Sequence, residues 1–360
     1  MTRDDPGAGA RGLGGDLIDL VISASADGVI AVDGQGIVRL CNPAAMELFG
    51  RPAHDLLDAP FGFPIVAGQS TDVELTQPGG GVRVVEMRVS ATTANGAALR
   101  VVSLRDVTSR WLAFQRLLLP TLPDLAPLQA AVVYRPAAEQ LGGDWYDALP
   151  LPGGAVGAVI GDVAGHSLQA AAAMAQIRNM LRALLYEQPA APGSVLATLD
   201  RTLHAINESP VTTACVACIE PGSDGWRLRW SSAGHLPPLL LTPVGAAEFL
   251  HTEPGLPLGV EPGRPRFAST RSLPEGATVV FFTDGLIERP GESLDVGLAS
   301  LAAIAERSTH LPLDELCRTL ADQHPGNGHD DIALLALRMP DAPHHDRATD
   351  RTRHPDGSSF

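Results

Sequence analysis

The sequence contains no lysine; all 26 of its basic side chains are arginine. A Walker-type phosphate loop needs its Gly-Lys-Ser/Thr, a protein kinase needs a strand lysine and a Schiff-base enzyme needs an amine, so these mechanisms are excluded. The Gly-rich run PGGGVRVVE, Pro78 to Glu86, is therefore read as a hairpin turn and not as a nucleotide cradle. Cysteine is scarce, with four scattered over 360 residues. That argues against a disulfide framework and fits a reducing compartment. No apolar run approaches the roughly 18 residues of a membrane span. The opening MTRDDPGAGARGLGGD lacks the basic start and apolar core of a secretory signal, so a cytoplasmic location without a membrane partner is expected. Positive charge is also in deficit: the net charge is −15 and the pI about 5.1. No nucleic-acid partner is expected on that balance.

The length accommodates two domains, each with its own core. Residues 1–15 read as a disordered leader. In DGVIAVDGQGIVRLCNPAAMELFG, Val29 to Val32 and Ile37 to Leu40 are apolar β-branched runs around a DGQG hairpin signal. Asn42 is placed to cap a following helix, with Pro43 at its first position and Gly50 just past its end. Three further strand-like segments lie within DVELTQPGGGVRVVEMRVSATTANGAALRVVSLRDVT. This order over residues 16–108 resembles a PAS sensor domain. Nothing around Cys41 resembles a flavin-binding motif, and His54 reads as solvated, so no prosthetic group is predicted. A small-molecule ligand or dimerisation remains for this module. Residues 109–124 form a connector in which Trp111, Phe114, Leu117 and Leu118 share one helical face until Pro120 stops the helix. Two readings stay open: the helix packs against the domain that follows, or it joins two copies into a homodimer that transmits sensor state. Residues 340–360, mixed in charge and poor in apolar side chains, are expected to be a disordered tail.

Residues 125–339 alternate strands and helices. Strands are predicted at Gln129 to Tyr134, Ala155 to Ile160, Thr213 to Ile219, Trp226 to Ser231, Leu239 to Leu241, Thr278 to Phe282 and Ile332 to Arg338. Helices fit Gln169 to Tyr186, Val195 to Asn207, Leu298 to Arg307 and Leu313 to Gln323. Most strand connections are too short for a helical crossover, which makes the pairing antiparallel and the class α+β. Aspartates recur beside the apolar strands: Asp144 and Asp147 in LGGDWYD, Asp162 in VIGDVAGH, Asp284 in VVFFTDGL, and Asp330 with Asp331 in GNGHDDIALL. Carboxylates that meet without a cation repel one another, and a hard divalent ion with oxygen ligands relieves this.

Together YRPAAEQLGGDWYD, VIGDVAGHSLQAAAAMAQIRNML, SSAGHLPPLLL, GLPLGV, FFTDGLIER and GHDDIALL resemble the bacterial PP2C-like serine/threonine phosphatases of the SpoIIE/RsbU type. The resemblance implies a PP2C-like β-sandwich flanked by helices, two Mn²⁺ or Mg²⁺ ions, and hydrolysis of a phosphoserine or phosphothreonine on a regulatory partner, with STAS-type anti-anti-sigma proteins as the expected class. It implies metal-holding roles for Asp144, Asp162 (bridging both ions), Val163 (through its carbonyl), Asp284 and Asp330, with Asp147 and Asp331 as supporting or water-binding residues. Asp162, Asp284 and Asp330 are thereby the expected catalytic set, acting without a phosphoenzyme. Ser167 stands where relatives carry glycine. GHSLQ also mimics a nucleophile elbow, so a serine esterase using Ser167 is an alternative; a non-catalytic phosphoprotein-binding pseudophosphatase is another. Cys215 and Cys218 lie three apart in a strand, on opposite faces, and cannot chelate together. His235 reads as a brace for a turn, and His324 and His329 as solvated neighbours of Asp330.

Overall fold

The computed structural model describes residues 17, 19–68, 70–78, 82–94, 96–136, 142–165, 168–189, 191–206, 210–222, 225–289, 291–323 and 330–341. His166, Ser167, His324 and His329 lie outside the described residues.

Strands β1 (Gly28–Asp33), β2 (Val38–Cys41), β3 (Ser70–Thr76), β4 (Val82–Ala94) and β5 (Ala97–Asp106) form an antiparallel sheet in the order β2-β1-β5-β4-β3. Helix α1 (Pro43–Phe49) begins as its sequence dictates. The Asn42 carboxamide oxygen accepts the Ala45 N–H at 2.9 Å and the Val29 N–H at 2.8 Å, so one side chain caps the helix and pins it to β1. Gly50 ends it at φ 60, a conformation that glycine adopts without strain. Ala45 and Leu48 of α1 pack over Ile30, Val32, Met87, Val102 and Leu104 of the sheet. Helix α2 (Ala53–Leu56) follows. On the opposite face, helix α3 (Thr108–Leu118) lays Trp111 and Leu112 against Val84 and Val107, and the Trp111 indole N–H donates to Asp72 Oδ2 at 3.0 Å.

Two antiparallel five-stranded sheets follow. The elements arrive as β6 (Gln129–Arg135), β7 (Asp144–Pro150), β8 (Val156–Val163), α4 (Leu168–Glu187), α5 (Pro192–Ala205), β9 (Thr212–Gly222), β10 (Gly225–Ala233), β11 (Leu239–Leu241) and β12 (Ala247–Phe249). They end with β13 (Ser269–Leu273), β14 (Thr278–Phe282), α6 (Leu294–Ser308), α7 (Leu313–Gln323) and β15 (Ile332–Arg338). One sheet runs β13-β10-β9-β8-β7 and the other β12-β11-β14-β15-β6. Strand alternation sorts the side chains into three layers. Tyr146, Ala158, Ile160, Cys215 and Ala217 of the first sheet meet Val279, Phe281 and Leu335 of the second. Trp145, Val159, Val216 and Cys218 face Met174 and Leu181 of α4 and Leu196 and Leu199 of α5. Val280, Phe282 and Leu334 face Leu301 of α6 and Leu316 and Leu320 of α7. The result is a β-sandwich with a helical layer on each outer face. Cys215 and Cys218 do face opposite layers.

Differences from expectation are informative. β7, DWYDALP, carries two acids and no alternation, yet six of its seven residues are buried because both faces are covered. α5 starts at Pro192 and α6 at Leu294, each a few residues before its predicted start, because the apolar periodicity begins only after the first turn.

Candidate metal centre

Asp144 opens β7 and Asp162 is the penultimate residue of β8; the two are cross-strand partners on the face turned toward the second sheet. Asp284 starts the short 3-10 turn Asp284–Leu286 that follows β14. One carboxylate oxygen from each of Asp144, Asp162 and Asp284 lies within 4.8 Å of the others. Asp330 stands outside that trio. Its Oδ1 accepts the Asp331 N–H at 2.9 Å, and its charge acts on both Asp162 and Asp284. Asp331 is buried and its Oδ2 accepts a hydrogen bond from the Tyr134 hydroxyl.

The electrostatics are those of like charges held together in a partly buried rim. Burial, then the charges of Asp162 and Asp331, hold the Asp144 carboxyl well above its ordinary range. Burial, then Asp284, Asp330 and Asp331, push Asp162 up to about 7. Asp284 is raised by burial and by Asp330. Both oxygens of Asp144 are buried without a hydrogen-bond partner among the described residues. Burying an unpaired ionised carboxylate costs far more than the ~2–7 kcal/mol of a neutral polar group, so the acid either takes up a proton or pairs with a cation. A divalent cation fits this donor set, which among the described residues is all oxygen.

Three glycines bring the elements into this register. A Cβ on Gly142 would overlap the Asp331 carboxylate, and one on Gly143 would strike the Val163 carbonyl and lie 2.9 Å from Asp162 Oδ1. A Cβ on Gly285 would collide with the Asp331 carbonyl. His235 braces the same rim from below. Its Nε2–H donates to the Phe282 carbonyl at 3.1 Å, so Nδ1 is left to accept from the Thr213 hydroxyl at 2.8 Å. Burial lowers its pKa to about 4, which keeps the ring neutral in this bridge.

One expected site residue is misplaced. Asp147, read as supporting the metal, is buried on the other face of β7, where its carboxylate meets Arg182 of α4 at 2.9 Å. Residues three apart on a strand point to opposite sides, so Asp144 and Asp147 cannot serve one centre. Tyr134 was not anticipated, and it lies 197 residues from its partner Asp331.

The family model described as stage II sporulation protein E (SpoIIE) matches residues 152–340, more than half of the chain, and a PAS fold model matches residues 16–62. The chain belongs to the SpoIIE family of PP2C-type phosphatases, metal-dependent serine/threonine protein phosphatases, joined here to an N-terminal PAS domain. Among solved structures it is similar to the RsbU and RsbW domains of Rv1364c from Mycobacterium tuberculosis, at 34% identity over 62% of this chain and 64% of that one, with a TM-score of 0.55. The chain thus spans a little under two thirds of that relative. The SiaA-PP2C domain of Pseudomonas aeruginosa shares the fold at 19% identity, 64% and 95% coverage and a TM-score of 0.50.

Proposed function

We propose that the chain removes phosphate from a serine or threonine of a regulatory partner protein, of the STAS-type anti-anti-sigma class, under control of its PAS domain. The M. tuberculosis relative carries an RsbU domain beside an RsbW domain, which supports a regulatory protein as partner. The observation that carries the catalytic reading is the trio Asp144, Asp162 and Asp284, mutually within 4.8 Å. On this reading these acids, Asp330 and the Val163 carbonyl would hold two Mn²⁺ or Mg²⁺ ions. Bound ions of this kind activate water and neutralise charge on the phosphoryl oxygens. The chain's own part is to hold the ligands, to orient water through Asp331 under the Tyr134 hydroxyl, and to exclude competing cations. Among the described residues no helix is long and apolar enough to cross a membrane.

The test is hydrolysis of p-nitrophenyl phosphate with added Mn²⁺, with and without chelator. Activity that survives thorough chelation would sink the reading. Proton competition gives a second expectation. Ion binding needs Asp162 ionised, so Mn²⁺ affinity should fall about tenfold per pH unit below 7. In the metal-free protein the raised pKa stabilises the fold at acid pH, and that contribution is lost as pH rises through about 7. Calorimetric titration at pH 6 and pH 8 would expose a flat profile if the carboxylate were not the ligand.

For gating, we take residues 16–108 as the sensor, 109–124 as the connector and 125–339 as the catalytic domain. Phe114 lies in α3, its side chain outside the described residues. Trp111 ties α3 to β3, and Arg178 of α4 donates to the Leu118 carbonyl at the far end of α3. The Tyr146 hydroxyl donates to the Pro120 carbonyl at 3.2 Å. α4 departs a few residues after Asp162, so a shift of the connector has a short mechanical route to a ligand. Arg178→Gln is expected to change the Mn²⁺ concentration for half-maximal activity severalfold; superimposable titrations of variant and wild type would leave the PAS domain without this route.

A further inference from the structure

The segment EPGLPLGVEPGRPRF, residues 253–267, has almost no regular structure, yet it is held at many points. Thr212 and Leu258 exchange backbone hydrogen bonds of 3.2 and 2.8 Å, and the Ser231 hydroxyl donates to the Phe267 carbonyl at 2.6 Å. Arg266 and Asp200 of α5 form an ion pair at 2.6 Å with each side chain only 2% exposed. The same guanidinium donates to the carbonyls of Leu256 and Pro257, and the second Asp200 oxygen accepts the Gly259 N–H at 2.9 Å. Gly259 turns at φ 83, and Gly234 lets Pro257 approach where a Cβ would not fit.

A fully buried ion pair is a poor means of adding stability, because desolvation offsets most of the attraction; its attested use is to select one arrangement of the chain. The arrangement selected here borders the metal centre. Leu258 sits beside Thr212 where β10 has ended, Thr212 pairs with Val163, and Thr213 pairs with Asp162. Two strand spacings separate Leu258 from Val163, roughly 10 Å, the span of about three extended residues. The bridge is flanked in the chain by exposed apolar side chains: Val260, two residues after Leu258, is 51% exposed, and Val211, next to Thr212, is 48% exposed. The Val211 carbonyl accepts from Ala164, two residues past Asp162. Ions held by the acids would engage the phosphate of any phosphorylated residue alike, so discrimination between protein substrates has to come from the border of the centre.

We propose that Leu256–Val260, latched by Asp200 and Arg266, is the substrate-positioning segment of this centre. It takes an apolar side chain two or three residues from the phosphorylated serine or threonine of the protein substrate. Asp200 and Arg266 are positioning residues that act through the segment. This rests on the phosphatase reading.

The experiment uses the full chain with Mn²⁺ and a serine-phosphopeptide library randomised within about three residues on either side of the phosphoserine. Each rate is divided by the same enzyme's rate on p-nitrophenyl phosphate. Wild type should prefer Leu, Ile or Val over Asp at one flanking position by about tenfold in kcat/KM, the scale of one apolar contact. Val260→Arg should move that preference toward Asp or Glu at the same position. The apolar replacement Asp200→Leu with Arg266→Met should stay folded by thermal unfolding while its KM for apolar peptides rises about tenfold. A flat wild-type preference, an unchanged preference in Val260→Arg, or an unchanged KM in the folded double variant would each overturn the proposal. If Val260→Arg instead alters only sedimentation, the face joins two copies of the chain and the proposal fails. Absence of p-nitrophenyl phosphate turnover by wild type would count against the phosphatase reading and not against the segment.

Discussion

Asp162→Asn is expected to lower Mn²⁺-dependent turnover by ~10³-fold or more while raising the unfolding temperature of the metal-free protein. The two effects have one cause. Asp162 faces Asp144 across β7 and β8, with Asp284 in reach and Asp330 and Asp331 adding charge. Asparagine keeps the shape, removes the charge that would bind the ions, and relieves the repulsion that the empty cluster imposes on the fold. A variant that loses activity by misfolding would move both measurements downward. Ser167→Ala, five positions after Asp162 in the sequence, is expected to retain most of the activity. If Ser167→Ala abolished turnover and Asp162→Asn did not, the nucleophile-elbow reading would replace the metal one.

Gly285→Ala should destabilise the protein by about 2–3 kcal/mol, near the upper end of overpacking effects. Across a domain of this size that corresponds to roughly 5–10 °C in the midpoint of thermal unfolding. The reason is space and not conformation: Gly285 has no positive φ, but a Cβ there would strike the Asp331 carbonyl. Relief requires Asp284 or Asp331 to move, so turnover should fall together with stability. Gly34→Ala is the control, since nothing lies within 4 Å of its Cβ position and its φ is ordinary. Matching unfolding curves for Gly285→Ala and wild type would show that the turn after β14 has room to spare.

Much of this architecture is legible in one sequence because periodicity and caps are local. Asn42, Pro43 and Gly50 announce α1, and the apolar runs of β8, β14 and β15 announce strands with acids at one end. The failures share a physical origin. β7 reads as irregular because it is covered on both faces, which erases the alternation a half-buried strand would show. The resemblance implies a supporting role for Asp147 beside Asp144, although the rule that separates Cys215 from Cys218 separates these two acids as well. Tyr134 left no local trace, since its function depends on pairing between β6 and β15, the first and last strands of its sheet. Gly143 and Gly285 make room for the Val163 and Asp331 carbonyls, and Gly142 for the Asp331 carboxylate.

The ownership of the acids has a mechanical consequence. Asp144 and Asp162 ride on one sheet, whereas Asp284, Asp330 and Asp331 ride on the other. No single rigid layer therefore sets the spacing of the acids; the gap between two leaves does, and the neutral His235 ring bolts the leaves together by holding Thr213 on one and Phe282 on the other. The centre acts as a caliper set across a seam. On the proposed reading, whatever pries or cinches that seam, including a connector that reaches Tyr146 in the filling between the leaves, would change the opening of the jaws without touching one of the acids.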